Sequence, residues 1–201
     1  MLTVGATALA PWEVGLLRQR LARALTFSRR YHRQPYCLST LLTEIGGQVD
    51  WFDEPQLTLP AFLLAVPGER TVNMNALIHE TPLELLAILH ECSHFVLDAG
   101  RHDCTEKIES REERDVWFAC ALIAVSRPLT GLILDGRATV IEIASRCRVP
   151  EALVQIRLGL AVVLGEHRAP IGEALDLIRY QLGRLEAWID AMKARIVSPA
   201  R

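Results

Sequence analysis

The sequence has little net charge, no paired cysteine motif and no uninterrupted apolar run of membrane-spanning length. Its 201 residues carry a formal net charge of −2, so it lacks the positive excess with which a protein neutralises nucleic-acid phosphates. The five cysteines are odd in number and include no CxxC pair, which indicates reduced thiols. Arg127-Pro128 and Arg157 interrupt the longest apolar stretches, and the N-terminus has no basic segment typical of a signal peptide. We expect a soluble, cytoplasmic protein that contacts neither membrane nor nucleic acid.

Half of the residues are hydrophobic, which is enough for one good core in a chain of this length. Leucines at helical spacing, opposed by arginines, predict an amphipathic helix over residues 12–32. A second helix is predicted at 36–45. Short extended segments between prolines and glycines predict a small sheet from residues 48–52, 62–66 and 70–75. The expected fold class is therefore α+β and mostly helical.

Residues 90–94 read His-Glu-Cys-Ser-His, which is the HExxH pattern of zinc-dependent hydrolases. On a helix, residues four apart face the same way, so His90 and His94 can reach one Zn²⁺. Glu91 lies about 100° round the helix. There it can take a proton from metal-bound water and pass it to a leaving amine. Cys92 points away from the two histidines and is a poor ligand.

The segment before the motif predicts a buried helix. Thr81 offers an N-cap hydroxyl, Pro82 suits the first helical position and Glu84 stands at N3. Residues 83–89 are apolar almost all round, so the helix should carry its histidines into the interior. Burying three ionisable groups within five residues is costly without a metal or partner.

A third ligand is needed, and the residues that follow His94 do not have the metzincin spacing for a third histidine. A carboxylate on the next helix is the better candidate. Five acids precede the apolar run 116–123: Glu106, Glu109, Glu112, Glu113 and Asp115. Spacing alone does not choose among them, and acids in a first turn are also favoured by the helix dipole.

Several segments resemble the ImmA/IrrE metallopeptidase family. Glu112, Phe118, Ala119 and Leu122 are similar to the E-x-x-A-N-x-F-A-x-x-L signature that follows HExxH in that family. Residues 70–75 resemble its short strand before the active-site helix. The segments 143–149 and 157–158 resemble its helix-turn-helix-like region, so the resemblance covers roughly residues 35–163.

The resemblance implies a ligand set and a substrate class. It makes His90 and His94 metal ligands, Glu91 the general base and Glu112 the third ligand, with Glu113 in reserve. The chain departs from the family at Ser93, which replaces a glycine, at Asp115-Val116, which replace Ala-Asn, and in lacking a Met-Pro after the second helix. Members of the family typically cleave a helix-turn-helix repressor, often encoded beside them, and so switch on phage, mobile-element or stress-response genes.

The C-terminal part is predicted to be helical. Residues 137–164 indicate two helices joined near 147–150, and the second offers only Gln155 and Arg157 as polar side chains for reading bases. We therefore predict a packing module there. Residues 171–196 predict a long amphipathic helix. The expected organisation is an N-terminal helix at 1–34, a zincin-like core at 35–130 and a helical region at 131–201.

The sequence thus predicts a cytosolic endopeptidase that uses Zn²⁺, or Mn²⁺ or Fe²⁺ on the same ligands, to cleave a protein substrate. Donors available to stabilise an oxyanion are His79, His102 and Arg111. Two alternatives stay open: a non-catalytic metal-binding regulatory protein and a DNA-binding regulator.

Overall fold

Helices dominate the computed structural model, which describes residues 11–31, 41, 47–53, 60–66, 69–97 and 110–197. One small sheet accompanies them, so the fold is α+β and mostly helical, which confirms the predicted class. Apart from Leu41, the helix predicted at 36–45 lies outside the described residues. The division into three regions stays a prediction.

The N-terminal segment forms two helices, α1 (Pro11–Arg20) and α2 (Ala22–Tyr31), where the sequence predicted a single one. They meet at Leu21, which is fully buried. Helical hydrogen bonds continue on both sides of Leu21. Its amide donates to the Leu17 carbonyl at 2.9 Å, and its carbonyl accepts from the Leu25 amide at 2.9 Å. The leucine stripe is only partly buried, since Leu17 and Leu21 are buried while Leu16 is 39 % exposed. Its spacing did not indicate the local break.

Three strands form the sheet: β1 (Gln48–Phe52), β2 (Ala61–Val66) and β3 (Glu69–Asn75). They overlap the three predicted extended segments. β3 lies in the centre, parallel to β1 and antiparallel to β2. Val72 and Met74 of β3 are fully buried, and β2 and β3 both pack against the helix that follows.

That helix, α3 (Pro82–Leu97), carries the HExxH residues and begins where the sequence predicted. The Thr81 hydroxyl accepts a hydrogen bond from the Leu83 amide at 3.3 Å, and the Glu84 carboxylate accepts one from the Glu80 amide at 2.6 Å. These bonds satisfy amides that have no partner within a helix. A short 3₁₀ helix (Ala76–Ile78) links β3 to this region.

The next helix, α4 (Arg111–Ala124), starts charged and ends buried, as predicted. Ser110 caps it, since its hydroxyl accepts from the Glu113 amide at 3.0 Å. α4 packs against both α2 and α3. Arg20 forms an ion pair with Asp115 of α4, and the Ser28 hydroxyl donates to the Leu122 carbonyl at 2.6 Å. The N-terminal helices therefore hold α4 in place.

The remaining helices are α5 (Arg127–Leu134), α6 (Val140–Cys147), α7 (Glu151–Val163) and α8 (Ile171–Val197). Thr139 and Glu142 form a capping box at the start of α6. Arg148 adopts a left-handed conformation (φ 56°) and turns the chain towards α7. The two-helix prediction for 137–164 and the final helix predicted from 171 are both confirmed.

α7 is a packing helix, because nearly all of its side chains are buried. Arg157, one of its two polar residues, is 2 % exposed. Its guanidinium donates to the Val125 carbonyl at 3.1 Å and to the Glu166 carboxylate at 2.6 Å. This side chain therefore cannot meet a DNA base.

Among the described residues, no single helix has the length and apolar character to cross a membrane. The bent pair α4 and α5, at 82° to each other, passes that test by length and composition together.

Candidate metal centre

His90 and His94 of α3 and Glu113 of α4 bring three potential ligand atoms together. The two histidine Nε2 atoms are 3.2 Å apart. The Glu113 oxygens lie 2.9 Å from Nε2 of His90 and 3.7 Å from Nε2 of His94. All three residues are buried, and their ligand atoms lie within 4.8 Å of one another. This buried group can hold a metal ion.

Local structure explains the convergence. His90 and His94 stand one helical turn apart, so their rings share one face of α3. Glu113 stands in the first turn of α4, where that helix begins to pack against α3. The carboxylate and the imidazoles therefore meet across the contact between two buried helices.

The residue that joins the two histidines is Glu113, one position after the predicted third ligand, Glu112. Glu112 is exposed, and the structure does not bring it to the histidines. Glu113, which the sequence left in reserve, takes that place. Neighbours on a helix point about 100° apart, so one of the two must face outwards when the other faces α3. Asp115 is also buried but pairs with Arg20.

Two further acids considered for this role, Glu106 and Glu109, lie outside the described residues.

The spacing of the three ligand atoms suits a tetrahedral ion. At metal–ligand bonds of about 2.0–2.1 Å, neighbouring ligands in a tetrahedron lie about 3.3–3.4 Å apart. The two Nε2 atoms are 3.2 Å apart, Oε1 of Glu113 lies 2.9 Å from His90 Nε2, and its other oxygen, Oε2, lies 3.7 Å from His94 Nε2, so each of these separations is close to that value. A set of two imidazoles and one carboxylate is a donor combination that zinc takes in catalytic sites.

Charge balance also favours a cation. His90, Glu91, His94 and Glu113 are between 1 % and 6 % exposed. With neutral imidazoles and ionised carboxylates, this cluster carries two negative charges from Glu91 and Glu113. Buried charges are costly unless they are paired, and a divalent ion between these groups would compensate both carboxylates.

The pKa of His90 is affected by the neighbouring carboxylates. Burial opposes protonation of His90, but its hydrogen bond to Glu113 and the charges of Glu113 and Glu91 outweigh burial and raise its pKa. The same attraction that favours a proton at His90 favours a metal cation there. Nε2 of His90 faces Glu113, while its Nδ1 is buried without a hydrogen-bond partner among the residues that the structure describes.

Glu91 is 1 % exposed and lies beside His90 on α3. Its charge contributes to the raised pKa of His90 and also to that of Cys92. A buried carboxylate next to a ligand residue in the helix is a candidate to accept a proton from water at the centre.

The cysteines of this region are buried free thiols. Burial, with a contribution from the charge of Glu91, raises the pKa of Cys92 well above its ordinary value. Burial raises the pKa of Cys120 as well, against a hydrogen bond with Ser93 that lowers it. Metal binding requires the thiolate, so both are poor ligands. Cys37 and Cys104 lie outside the described residues.

Of the three residues available as oxyanion donors, the structure describes His79 and Arg111, and both are exposed. His79 is exposed, contacts the edge of Trp51 at a ring-centroid distance of 4.7 Å and lies 3.4 Å from a Glu84 oxygen. Arg111 is exposed, and His102 lies outside the described residues.

The residue that sequence reasoning missed is Trp117. Its ring lies against that of His90, with centroids 4.3 Å apart. The available signal was its helical spacing, because Trp117 follows Glu113 by one turn.

Comparison with protein-family models, with curated proteins and with solved structures found no match. The resemblance to the ImmA/IrrE family accordingly stays a prediction from the residues that carry it.

Proposed function

We propose that the chain is a metal-dependent hydrolase, a zinc endopeptidase, in which His90, His94 and Glu113 hold the ion. The observation that carries the proposal is the meeting of these three ligand atoms on two buried helices, with Glu91 beside them. Two imidazoles and one carboxylate leave a fourth tetrahedral position for water.

In this proposal each residue has a distinct task. A bound metal would supply Lewis acidity at the centre. Glu91 would accept a proton from water there and return it to the leaving amine, while His90, His94 and Glu113 would hold the ion. Glu113 replaces Glu112 in the ligand set derived from the resemblance. Zn²⁺ is the ion proposed, and Mn²⁺ can use the same ligands.

The substrate belongs to the same proposal. The resemblance of the motifs to ImmA/IrrE peptidases supports a protein substrate in the cytoplasm, specifically a helix-turn-helix repressor. Direct reading of DNA by this chain is disfavoured, because α7, the second helix of its helix-turn-helix-like segment, is buried in the described structure.

Glu91→Gln tests the catalytic role. The variant keeps the shape of the side chain but loses the proton acceptor, so we expect cleavage to fall by about 10²- to 10⁴-fold while zinc content is unchanged. Zinc per chain is measured by mass spectrometry, and cleavage by the new peptide termini formed in a panel of helix-turn-helix repressors and a peptide library.

Glu112→Gln is the matched control, because it makes the same substitution at an exposed position beside a ligand. It should retain both metal and cleavage. Cleavage by Glu91→Gln at the wild-type rate would contradict the proposed role of Glu91.

One observation favours a second candidate, a non-catalytic metal site that stabilises the fold. The three ligands and Glu91 are at most 6 % exposed, as expected for a closed structural centre. In that case zinc would be retained, neither wild type nor Glu91→Gln would cleave any member of the panel, and the only consequence of metal removal would be lower stability.

A further inference from the structure

The ring of His90 lies against a buried indole. The ring centroids of His90 and Trp117 are 4.3 Å apart and the planes are inclined by 36°. Trp117 is 6 % exposed. The other neighbour of the His90 ring is His94, which meets it edge-on at 85° and 4.9 Å. The imidazole plane is thus bounded by an indole and by the second histidine.

The indole and the carboxylate come from the same face of one helix. Trp117 follows Glu113 by four residues on α4, so both side chains project towards α3. Glu113 contacts Nε2 of His90 at 2.9 Å while Trp117 covers the ring. One turn of α4 therefore supplies a ligand and a support for another ligand.

The His90 ring needs the contact with Trp117, because the hydrogen bond that usually orients a ligand histidine is missing among the described residues. A histidine that binds a metal generally donates its second ring N–H to a carboxylate, a carbonyl or water, which fixes the orientation of the ring. Nδ1 of His90 is buried and has no such protein partner among the described residues, and the same holds for Nε1 of Trp117. Besides the contact of Glu113 with Nε2, the indole is the contact from α4 that acts on the face of the imidazole ring.

The side chain's own torsion does not supply this constraint. Rotation about the bond to an imidazole has broad preferences, unlike the three sharp wells of an aliphatic side chain. A ring that turns away from its plane moves Nε2 away from His94 and Glu113, and the ligand set loses its convergence.

We propose that Trp117 is a positioning residue, whose indole holds the His90 ring in the plane that directs Nε2 to the metal. The role rests on the proposed metal centre. A flat aromatic side chain at position 117 is its chemical requirement, and the indole N–H is not part of it.

Zinc affinity of three full-length variants tests the role. Trp117→Leu keeps an apolar side chain but removes the aromatic plane, and we expect zinc affinity to fall by about 10- to 100-fold, the usual effect of losing an orienting contact. Trp117→Phe retains a plane and should bind zinc nearly as tightly as the wild type. Affinity is measured by competition with a chromophoric chelator, and the visible spectrum of the Co²⁺-loaded protein reports the coordination geometry.

Phe118→Leu is the matched control. Phe118 is the next residue of α4 and is equally buried at 6 %, but it points about 100° away from Trp117. The variant should lose stability by packing alone and keep the wild-type zinc affinity and Co²⁺ spectrum. Equal losses of affinity in Phe118→Leu and Trp117→Leu would overturn the positioning role.

The outcomes distinguish failure of the proposed role of Trp117 from failure of the proposed metal centre. Trp117→Leu with wild-type zinc affinity and an unchanged Co²⁺ spectrum overturns the role of Trp117 and leaves the centre intact. A wild type that binds no zinc overturns the centre itself.

If Trp117→Leu does not fold, NMR of histidine-labelled protein tests whether the Trp117 indole lies against the His90 ring. Ring protons of His90 beside an indole should be shifted by its ring current, and the shift should shrink in Trp117→Phe. Absence of that shift in the zinc-loaded wild type overturns the inference.

Discussion

Glu113 meets the two histidines with both carboxylate oxygens, one on each Nε2. Its neighbour Glu112 is exposed. The two glutamates share a charge, a side-chain length and a place in the first turn of α4. They differ only in the direction in which their side chains point. Variants of the two residues can therefore be compared to test which one is the ligand.

Glu113→Gln should reduce zinc affinity by more than about 100-fold, because an amide oxygen carries no charge to balance the ion and loss of a direct ligand exceeds the usual effect of losing an orienting contact. Chelator competition measures the affinity. Glu112→Gln should bind as the wild type does. The assignment fails if the Glu112 variant loses zinc and the Glu113 variant retains it.

The sequence predicted that the two histidines share one helix face, which the structure has, but it named Glu112 as the third ligand where the structure places Glu113. The HExxH motif by itself predicts that the two histidine rings lie on one helix face, because they are four residues apart. The acids of α4 precede residues 116–124, which are buried without interruption. When a helical segment is apolar on every side, its sequence does not show which side faces the core. It therefore does not indicate which of the preceding acids faces inwards. Ser110 and Glu113 also have the spacing of a capping box, and the Glu113 carboxylate contacts the histidines.

At the scale of elements, α7 and α8 approach each other closely at Gly159 of α7. A Cβ at Gly159 would lie 2.5 Å from Cγ1 of Ile178 and 3.0 Å from the Ala174 carbonyl oxygen. The first contact can relax by moving a side chain. The second is with backbone, so relief requires the helices to separate.

Gly159→Ala should destabilise the fold by about 1–2 kcal/mol. Alanine favours a helix by roughly 0.5–1 kcal/mol over glycine, but overpacking costs about 1–3 kcal/mol. Urea denaturation gives the free energy of unfolding.

Gly183→Ala on α8 is its counterpart, because the residue is exposed and a Cβ there meets nothing within 4 Å. It should stabilise by about 0.5–1 kcal/mol. Equal stability gains in both variants would show that α7 and α8 are not in close contact.

The start of α3 was predicted from a local signal, because Thr81 and Pro82 mark it. Thr139 and Glu142 mark the start of α6 in the structure, three residues after the start of the predicted range at 137. The break at Leu21 was not predicted, since the leucine spacing continues through it. The strands were predicted by composition, but their order, with β3 between a parallel and an antiparallel neighbour, depends on pairing between distant segments.

At the scale of the whole molecule, the cluster of His90, His94 and Glu113 lies between α3 and α4, and these helices also contact the sheet and α2. An ion held there by ligands from both helices would bind the folded chain and not the unfolded one. Its binding energy therefore adds to the stability of the fold.

Removal of zinc by a chelator should lower the melting temperature. At free zinc 100-fold above its dissociation constant, the ion contributes about 2.7 kcal/mol, which corresponds to roughly 5–10 °C in a chain of this size. Calorimetry with and without chelator measures the shift.

Glu113→Gln should melt at the same temperature under both conditions, and Glu91→Gln should respond as the wild type does. A wild type insensitive to chelator, after zinc loading, would contradict a metal that bridges the two helices.

The sequence by itself determined the α+β class, the helix that bears HExxH, the three strands and the two helices after residue 137. These follow from periodicity, capping residues and turn residues, which act within a few positions along the chain. Only the tertiary structure decided that Glu113 faces the histidines, that Trp117 lies against His90 and that Arg157 is buried against Val125 and Glu166. Each of these depends on the rotation of one helix relative to another, which packing between distant segments sets.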